Sequence, residues 1–124
     1  MKNNLFYYCP ICGRIVMGIE GDNPIMCCGK MMDLLVANNR DASLEKHVPV
    51  YEVTNDNILV TVGEIEHPML EEHYIGWVAL VGKTEVMIKR LSPGDKAIVK
   101  FPLINEGTIY AYCNIHGLWK KELK

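Results

Sequence analysis

The chain has 124 residues, of which 49% are apolar and 23% charged, a globular composition that excludes intrinsic disorder and leaves room for one ordinary domain or two small ones. Thirteen basic against 15 acidic side chains leave a net charge of -2, without the basic excess that a phosphate backbone or an anionic membrane demands, so neither nucleic acid nor membrane is expected as a partner. No uncharged run approaches the roughly 18 residues of a membrane-spanning helix; Tyr74 to Gly82 is far shorter, and Met1 to Pro10 lacks an apolar signal core, so a cytoplasmic location is expected.

Up to Val36 the chain carries short apolar runs, Leu5 to Tyr8, Ile15 to Met17 and Met31 to Val36, separated by glycines, and these read as a few short strands. Ordering so small a segment costs on the order of 1.5 kcal/mol per residue, more than its core can offset without a staple such as a metal. Polar residues then take over, and 37–45 reads as a linker between a first domain at 1–36 and a second at 46–124. In the second domain β-branched and aromatic residues recur in seven runs: Val48 to Val53, Ile58 to Ile65, Ile75 to Val81, Glu85 to Leu91, Ala97 to Leu103, Thr108 to Cys113 and Trp119 to Leu123. Turn residues punctuate them, among them Asn55-Asp56-Asn57 and Ser92-Pro93-Gly94-Asp95. Regularly spaced strands without a helical period predict a mainly β chain whose second domain is an antiparallel, immunoglobulin-type sandwich. Trp77 and Trp119 are its expected core anchors. Met26, Met31 and Met32 read as core or contact filler rather than ligands.

Five cysteines in a reducing compartment are ligands or reactive thiols sooner than disulfides, and an odd number cannot pair within one molecule. Cys9-Pro10-Ile11-Cys12-Gly13 is a metal knuckle: two intervening residues let both sulfurs face one ion, and the glycine permits a tight turn. Cys27-Cys28-Gly29 is less usual, since adjacent side chains diverge and reach one ion only if the backbone between them bends. Structural zinc, a Cys27–Cys28 disulfide and free thiols stand as alternatives, and four sulfurs suit zinc and iron alike.

All four histidines come later. Taken singly, each reads as a surface or core residue sooner than as a ligand. Their neighbourhoods say more: His67 and His73 bracket a five-residue loop, Cys113 and His116 lie three apart at a strand end, and His47 opens the second domain. If the five groups meet, four nitrogens and one sulfur exceed what structural zinc needs and differ from the two histidines, cysteine and methionine of blue copper. Iron with five protein ligands keeps one position open, and a thiolate opposite it favours redox chemistry on a small molecule.

With these motifs the sequence resembles the desulfoferrodoxins, the two-iron class of superoxide reductases. The matching stretches are Cys9-Pro10-Ile11-Cys12-Gly13, Cys27-Cys28-Gly29, Glu45-Lys46-His47-Val48-Pro49-Val50, His67-Pro68-Met69, His73-Tyr74-Ile75 and Cys113-Asn114-Ile115-His116-Gly117 with Trp119, and together they use every cysteine and histidine. The resemblance implies two iron ions per chain. One would be held by Cys9, Cys12, Cys27 and Cys28 in a desulforedoxin-like domain. The other would have His47, His67, His73 and His116 as equatorial ligands and Cys113 as the axial one, in an immunoglobulin-like domain. It further implies a homodimer that reduces superoxide to hydrogen peroxide with electrons from a rubredoxin-like donor. Lys46 would attract the anion and orient a proton-donating water, and Glu45 would close the sixth position after turnover; without the resemblance, the two read as a solvated charge pair. An electron carrier that uses only the four-thiolate iron, and a zinc-ribbon interaction protein, are the competing readings.

Overall fold

A computed structural model of the chain describes residues 5–21, 24–38 and 44–124, with Leu44 and Glu45 by their backbone alone. The chain divides into two compact units, Met1–Val36 and Ala37–Lys124.

In the first unit the apolar runs form β1 (Phe6–Tyr8), β2 (Ile15–Met17), β3 (Met26–Cys27), β4 (Lys30–Met31) and β5 (Asp33–Leu34). β1 lies between β2 and β5 in an antiparallel sheet, with Phe6 opposite Met17 and Tyr7 opposite Leu34. β3 and β4 make a separate hairpin closed by Cys28 and Gly29. Both closing residues have positive φ, 53° and 74°, as a two-residue type I′ turn demands. This is the bend that two adjacent cysteines need. The run expected from Met31 to Val36 is broken at Met32, which buries its side chain and gives its amide to the Ile25 carbonyl at 2.7 Å. Met26 and Met31 face each other across the hairpin and are exposed. Leu5, Phe6, Cys9 and Met32 are the buried apolar side chains among the unit's described residues, a small core for a segment of this length.

The second unit opens with a single helical turn, α1 (Leu44–His47), followed by all seven expected strands: β6 (Pro49–Thr54), β7 (Asn57–Val62), β8 (Ile75–Val81), β9 (Val86–Arg90), β10 (Ile98–Pro102), β11 (Gly107–Cys113) and β12 (Gly117–Leu123). They form two antiparallel sheets, β10-β7-β6 and β12-β11-β8-β9. Ile58, Val60 and Val62 alternate inward from β7, joined by Val99 and Phe101 of β10. Across the sandwich they meet Val78 and Leu80 of β8 and Ile109, Ala111 and Cys113 of β11. Each fully buried side chain of this size contributes about 1.5–3 kcal/mol, so this interface holds the sheets together. Cys113 therefore continues the inward-facing alternation of a core strand, and the core itself aims its sulfur.

Asn38 lines the edge of β12, giving its amide to the Leu118 carbonyl at 3.0 Å and exchanging side-chain bonds with Lys120 at 2.9 and 3.3 Å. Of the expected linker at 37–45, residues 39–43 lie outside the described residues, and its last two, Leu44 and Glu45, belong to α1. Trp119 is fully buried. Trp77 departs from expectation: it stands half-buried on the opposite face of its sheet from the core, stacked on Tyr112 with ring centroids 5.6 Å apart and planes 7° from parallel. The reason is the period of the strand, since Val78 and Leu80 take the inward positions. No helix among the described residues is long and apolar enough to cross a membrane.

Candidate metal centres

The knuckle at Cys9 is built by local backbone bonds. Gly13 gives its amide to the Cys9 carbonyl at 2.9 Å, and the Cys9 amide reaches the Arg14 carbonyl at 2.9 Å, so the turn folds back over the Cys9 sulfur. The Cys12 amide, above all, draws the Cys9 thiol down to about 7 against the burial that raises it, with the Ile11 amide assisting. The hairpin turn brings the other two sulfurs up to the knuckle. Cys12 Sγ lies 3.7 Å from Cys27 Sγ, which lies 3.9 Å from Cys28 Sγ. A tetrahedron with metal–sulfur bonds of about 2.3 Å has edges of about 3.8 Å, which these two spacings match, and all four sulfurs lie within 4.8 Å of one another. Without a cation they cannot all ionise: hydrogen bonding to Cys12, then to Cys9, pushes the Cys27 thiol up to about 12, and Cys28 rises as well, first through Cys12. Cys12 and Cys28 are exposed, whereas Cys9 is buried.

The second cluster gathers residues from three places in the second unit. His47 ends α1; His67 and His73 sit on the loop between β7 and β8; Cys113 and His116 flank the tight connection of β11 to β12, whose closing pair is Cys113 and Gly117. Sulfur and imidazole atoms of His47, His67, His73 and Cys113 lie within 4.8 Å of one another. His116 completes the set, its Nδ1 being 3.0 Å from His47 Nε2 and 3.8 Å from Cys113 Sγ. The rings form a closed cycle. Neighbouring centroids, His47–His67, His67–His73, His73–His116 and His116–His47, are 4.6, 4.7, 5.1 and 4.8 Å apart, with planes 74° to 86° from parallel. His47 and His73 oppose each other at 6.2 Å and 28°. That is a square of imidazoles set edge to face.

Its dimensions carry chemical information. His67 Nε2 is 3.1 Å from His47 Nε2, close to the 3.0 Å between His116 Nδ1 and the same atom. For metal–nitrogen bonds of about 2.1 Å a square has edges of about 3.0 Å and a tetrahedron about 3.4 Å, so the nitrogens fit a square set. The tautomer agrees. His67 Nδ1–H donates to the Pro68 carbonyl at 2.7 Å, which leaves Nε2 a lone pair aimed into the cluster. His47 Nε2 has at most one proton to offer two neighbours at 3.0 and 3.1 Å, so one contact sets lone pair against lone pair unless a cation lies between. His73 Nε2 is buried without any hydrogen-bond partner. Both donor sets thus fit resident metal ions.

Surroundings favour the neutral form of His67 and His73, the form that binds a metal. Burial holds the His67 imidazolium down at about 4, offset by the Pro68 carbonyl and reinforced by the other histidines. Burial lowers His73 too, followed by the charge of His116, while Glu72 draws it up and Lys46 presses it down. Cys113 is pushed up by burial against the amides of His116 and Ile115; the His116 amide lies 3.4 Å from its sulfur. Trp119 covers one side, its ring centroid 5.0 Å from that of His47. Lys46, next to buried His47, is exposed. The side chain of Glu45 lies outside the described residues. Asn114, which sequence reading passed over as a spacer between Cys113 and His116, bonds to the backbone on both sides of His73: it accepts from the Tyr74 amide at 2.8 Å and donates to the Glu72 carbonyl at 3.1 Å.

A β-sandwich with a square of imidazoles and a buried thiol, preceded by a four-thiol knuckle, defines a two-centre, non-haem metalloprotein. The chain belongs to the desulfoferrodoxin family: the family model described as "Desulfoferrodoxin" matches residues 39–122. A desulfoferrodoxin of Syntrophotalea carbinolica is 48% identical over 118 residues, 94% of this chain and 94% of the relative. Among solved structures, the superoxide reductase from Treponema pallidum superposes with a TM-score of 0.77 at 30% identity, over 94% of this chain and 97% of that one. The 1Fe superoxide reductase from Giardia intestinalis matches 64% of this chain and 98% of its own, with a TM-score of 0.58 and 26% identity. The chain is accordingly an oxidoreductase, and its two donor sets fit the two-iron family.

Proposed function

We propose that the chain is a superoxide reductase: superoxide takes up one electron and two protons to give hydrogen peroxide at the cluster of His47, His67, His73, His116 and Cys113. The observation that carries this reading is the closed square of imidazoles with nitrogens 3.0 and 3.1 Å apart. Iron bound there supplies one electron per superoxide and a position for the anion.

The chain's own residues supply the rest. Pro68 fixes the His67 tautomer, and the buried faces of His47 and Trp119 keep water from that side. Cys113 gives a thiolate whose charge the His116 amide partly compensates. Lys46 carries the exposed cation beside His47, attracts the anion and holds a water that delivers protons. Glu45, one residue earlier, is the carboxylate that closes the site after turnover. Electrons reach the chain from a one-electron, rubredoxin-like protein in the cytoplasm, and the working form is a homodimer. Cys12 and Cys28 are exposed, which suits electron exchange at the four-thiol centre, so a carrier that uses that centre alone is the second reading.

The test is stoichiometric. Iron-loaded, reduced protein is mixed with superoxide, and peroxide and oxygen are measured together. One peroxide per superoxide without oxygen is expected; half that yield with oxygen evolved indicates dismutation and overturns the proposal, and absence of superoxide consumption leaves the carrier.

A further inference from the structure

The four imidazoles are not held alike. His67 is fixed through its own ring, by the bond to the Pro68 carbonyl, and His116 through its amide on Cys113 Sγ. His47 packs in the buried interior against Trp119. His73 Nε2 has no protein partner, so the place of that ring follows from the backbone that carries it. That backbone lies in a loop whose neighbours Glu71 and Glu72 are exposed, and its local bonds are the reciprocal pair between Leu70 and His73 at 2.9 and 3.1 Å.

We infer that Asn114 is the positioning residue for His73, a clamp that sets the fourth corner of the square against the Cys113–His116 connection. Its side chain reaches one residue to each side of His73, accepting from the Tyr74 amide at 2.8 Å and donating to the Glu72 carbonyl at 3.1 Å. Its own amide adds a third bond, to the Tyr74 carbonyl at 3.1 Å. Only a primary amide does both side-chain tasks at this length, since a carboxylate lacks the donor and a hydroxyl lacks the reach. Because Asn114 follows Cys113 directly, the clamp ties His73 to the thiol and to His116 in one rigid connection. The two loops that contribute four of the five donors then move as one. Groups that orient metal ligands in this way change metal affinity by about 10- to 100-fold when removed.

The inference rests on the reading of the five-residue cluster as a metal centre, and the experiment separates the two. Metal-free full-length chain is titrated with ferrous iron under a competing chelator, with the thiolate-to-metal absorption of the second centre and the melting of the metal-free form recorded. If the wild-type chain takes up no metal at the cluster, the metal-centre reading fails and the clamp falls with it. If it does, Asn114→Ala is expected to bind about 10- to 100-fold more weakly at the second centre and to shift its thiolate band. The four-thiol centre and the metal-free melting should stay as in the wild type. Asn114→Asp, which keeps the acceptor for Tyr74, should recover part of the loss. Wild-type affinity and band in Asn114→Ala overturn the proposal, as does a loss in both variants that merely tracks lowered melting. Should the alanine variant not fold, Asn114→Asp decides: weakened binding with unchanged melting supports the clamp, and wild-type binding overturns it.

Discussion

The Pro68 carbonyl decides which nitrogen of His67 faces the cluster, and burial decides that the ring arrives there uncharged. Both effects have a consequence for the metal-free protein. An unfolded His67 titrates near 6.5, while the folded one is held at about 4, so between these values the unfolded chain takes up a proton that the folded chain refuses. Stability of the metal-free form is therefore full above pH 6.5 and falls as the pH drops toward 4, and the lowering of His73 acts in the same direction. Denaturant midpoints of the second unit at pH 7.5 and 5 should show the decline; a flat profile would mean that His67 protonates freely when folded. Lys46 lies at the opposite extreme of exposure. A single cation near a substrate's entry works through long-range attraction, so Lys46→Ile should lower the second-order rate with superoxide by about tenfold at low salt and flatten its ionic-strength dependence, with metal content unchanged. Rapid mixing at two salt concentrations measures both, and an unaltered rate removes Lys46 from the mechanism.

Among the elements, β8 carries the detail that shapes the second centre. Tyr112 pairs with Trp77 but Cys113 pairs with Ile75, so Gly76 is an extra residue, a bulge at the second position of β8, three residues after His73. Its carbonyl is engaged by the Leu91 amide at 2.9 Å, and a Cβ added there would meet nothing closer than Tyr74 Cε2 at 3.8 Å. Conformation and space thus tolerate Gly76→Ala, which should keep both metals. Deleting Gly76 instead shortens the path to His73 by one strand residue, about 3.3 Å, as large as the spacing between ring nitrogens. Metal analysis of the deletion variant should find the second centre empty and the first filled; a full second centre would show that the bulge does not set the position of His73. The seven strands were readable because β-branched runs and turn residues recur regularly, and the Cys28-Gly29 bend because adjacent cysteines can share an ion in no other way. The bulge was not readable. Ile75 to Val81 is a continuous apolar run without alternation, so neither the inward face nor the extra residue can be assigned before the strand meets β11, and Trp77 was placed in the core for the same reason. Asn114 stayed hidden because its partners, Glu72 and Tyr74, lie about forty residues away and are backbone groups that any sequence would offer.

At the scale of the whole molecule, each unit owns all the donors of its centre, and the two differ in what else holds them. The second unit has a continuous core running through five strands, with Trp119 and Phe101 fully buried, so its fold does not depend on metal. Buried apolar side chains in the described part of the first unit are Leu5, Phe6, Cys9 and Met32, one of which is itself a thiol of the centre. So little apolar burial falls short of the ordering entropy of such a segment, and metal binding must supply the difference, as it does in small metal-stapled domains. Cys27→Ala removes the sulfur that stands 3.7 Å from Cys12 and 3.9 Å from Cys28, and with it the hinge of the tetrahedron. In the full-length variant, amide exchange should accelerate throughout β1 and β2, and the metal count should fall by one. Exchange in β7, β8 and β11, the thiolate band of the second centre and superoxide consumption with a chemical reductant should all persist. Loss of protection in the second unit would instead mean that the two units fold as one, since a domain that keeps its own core and ligands has no reason to open when its neighbour does.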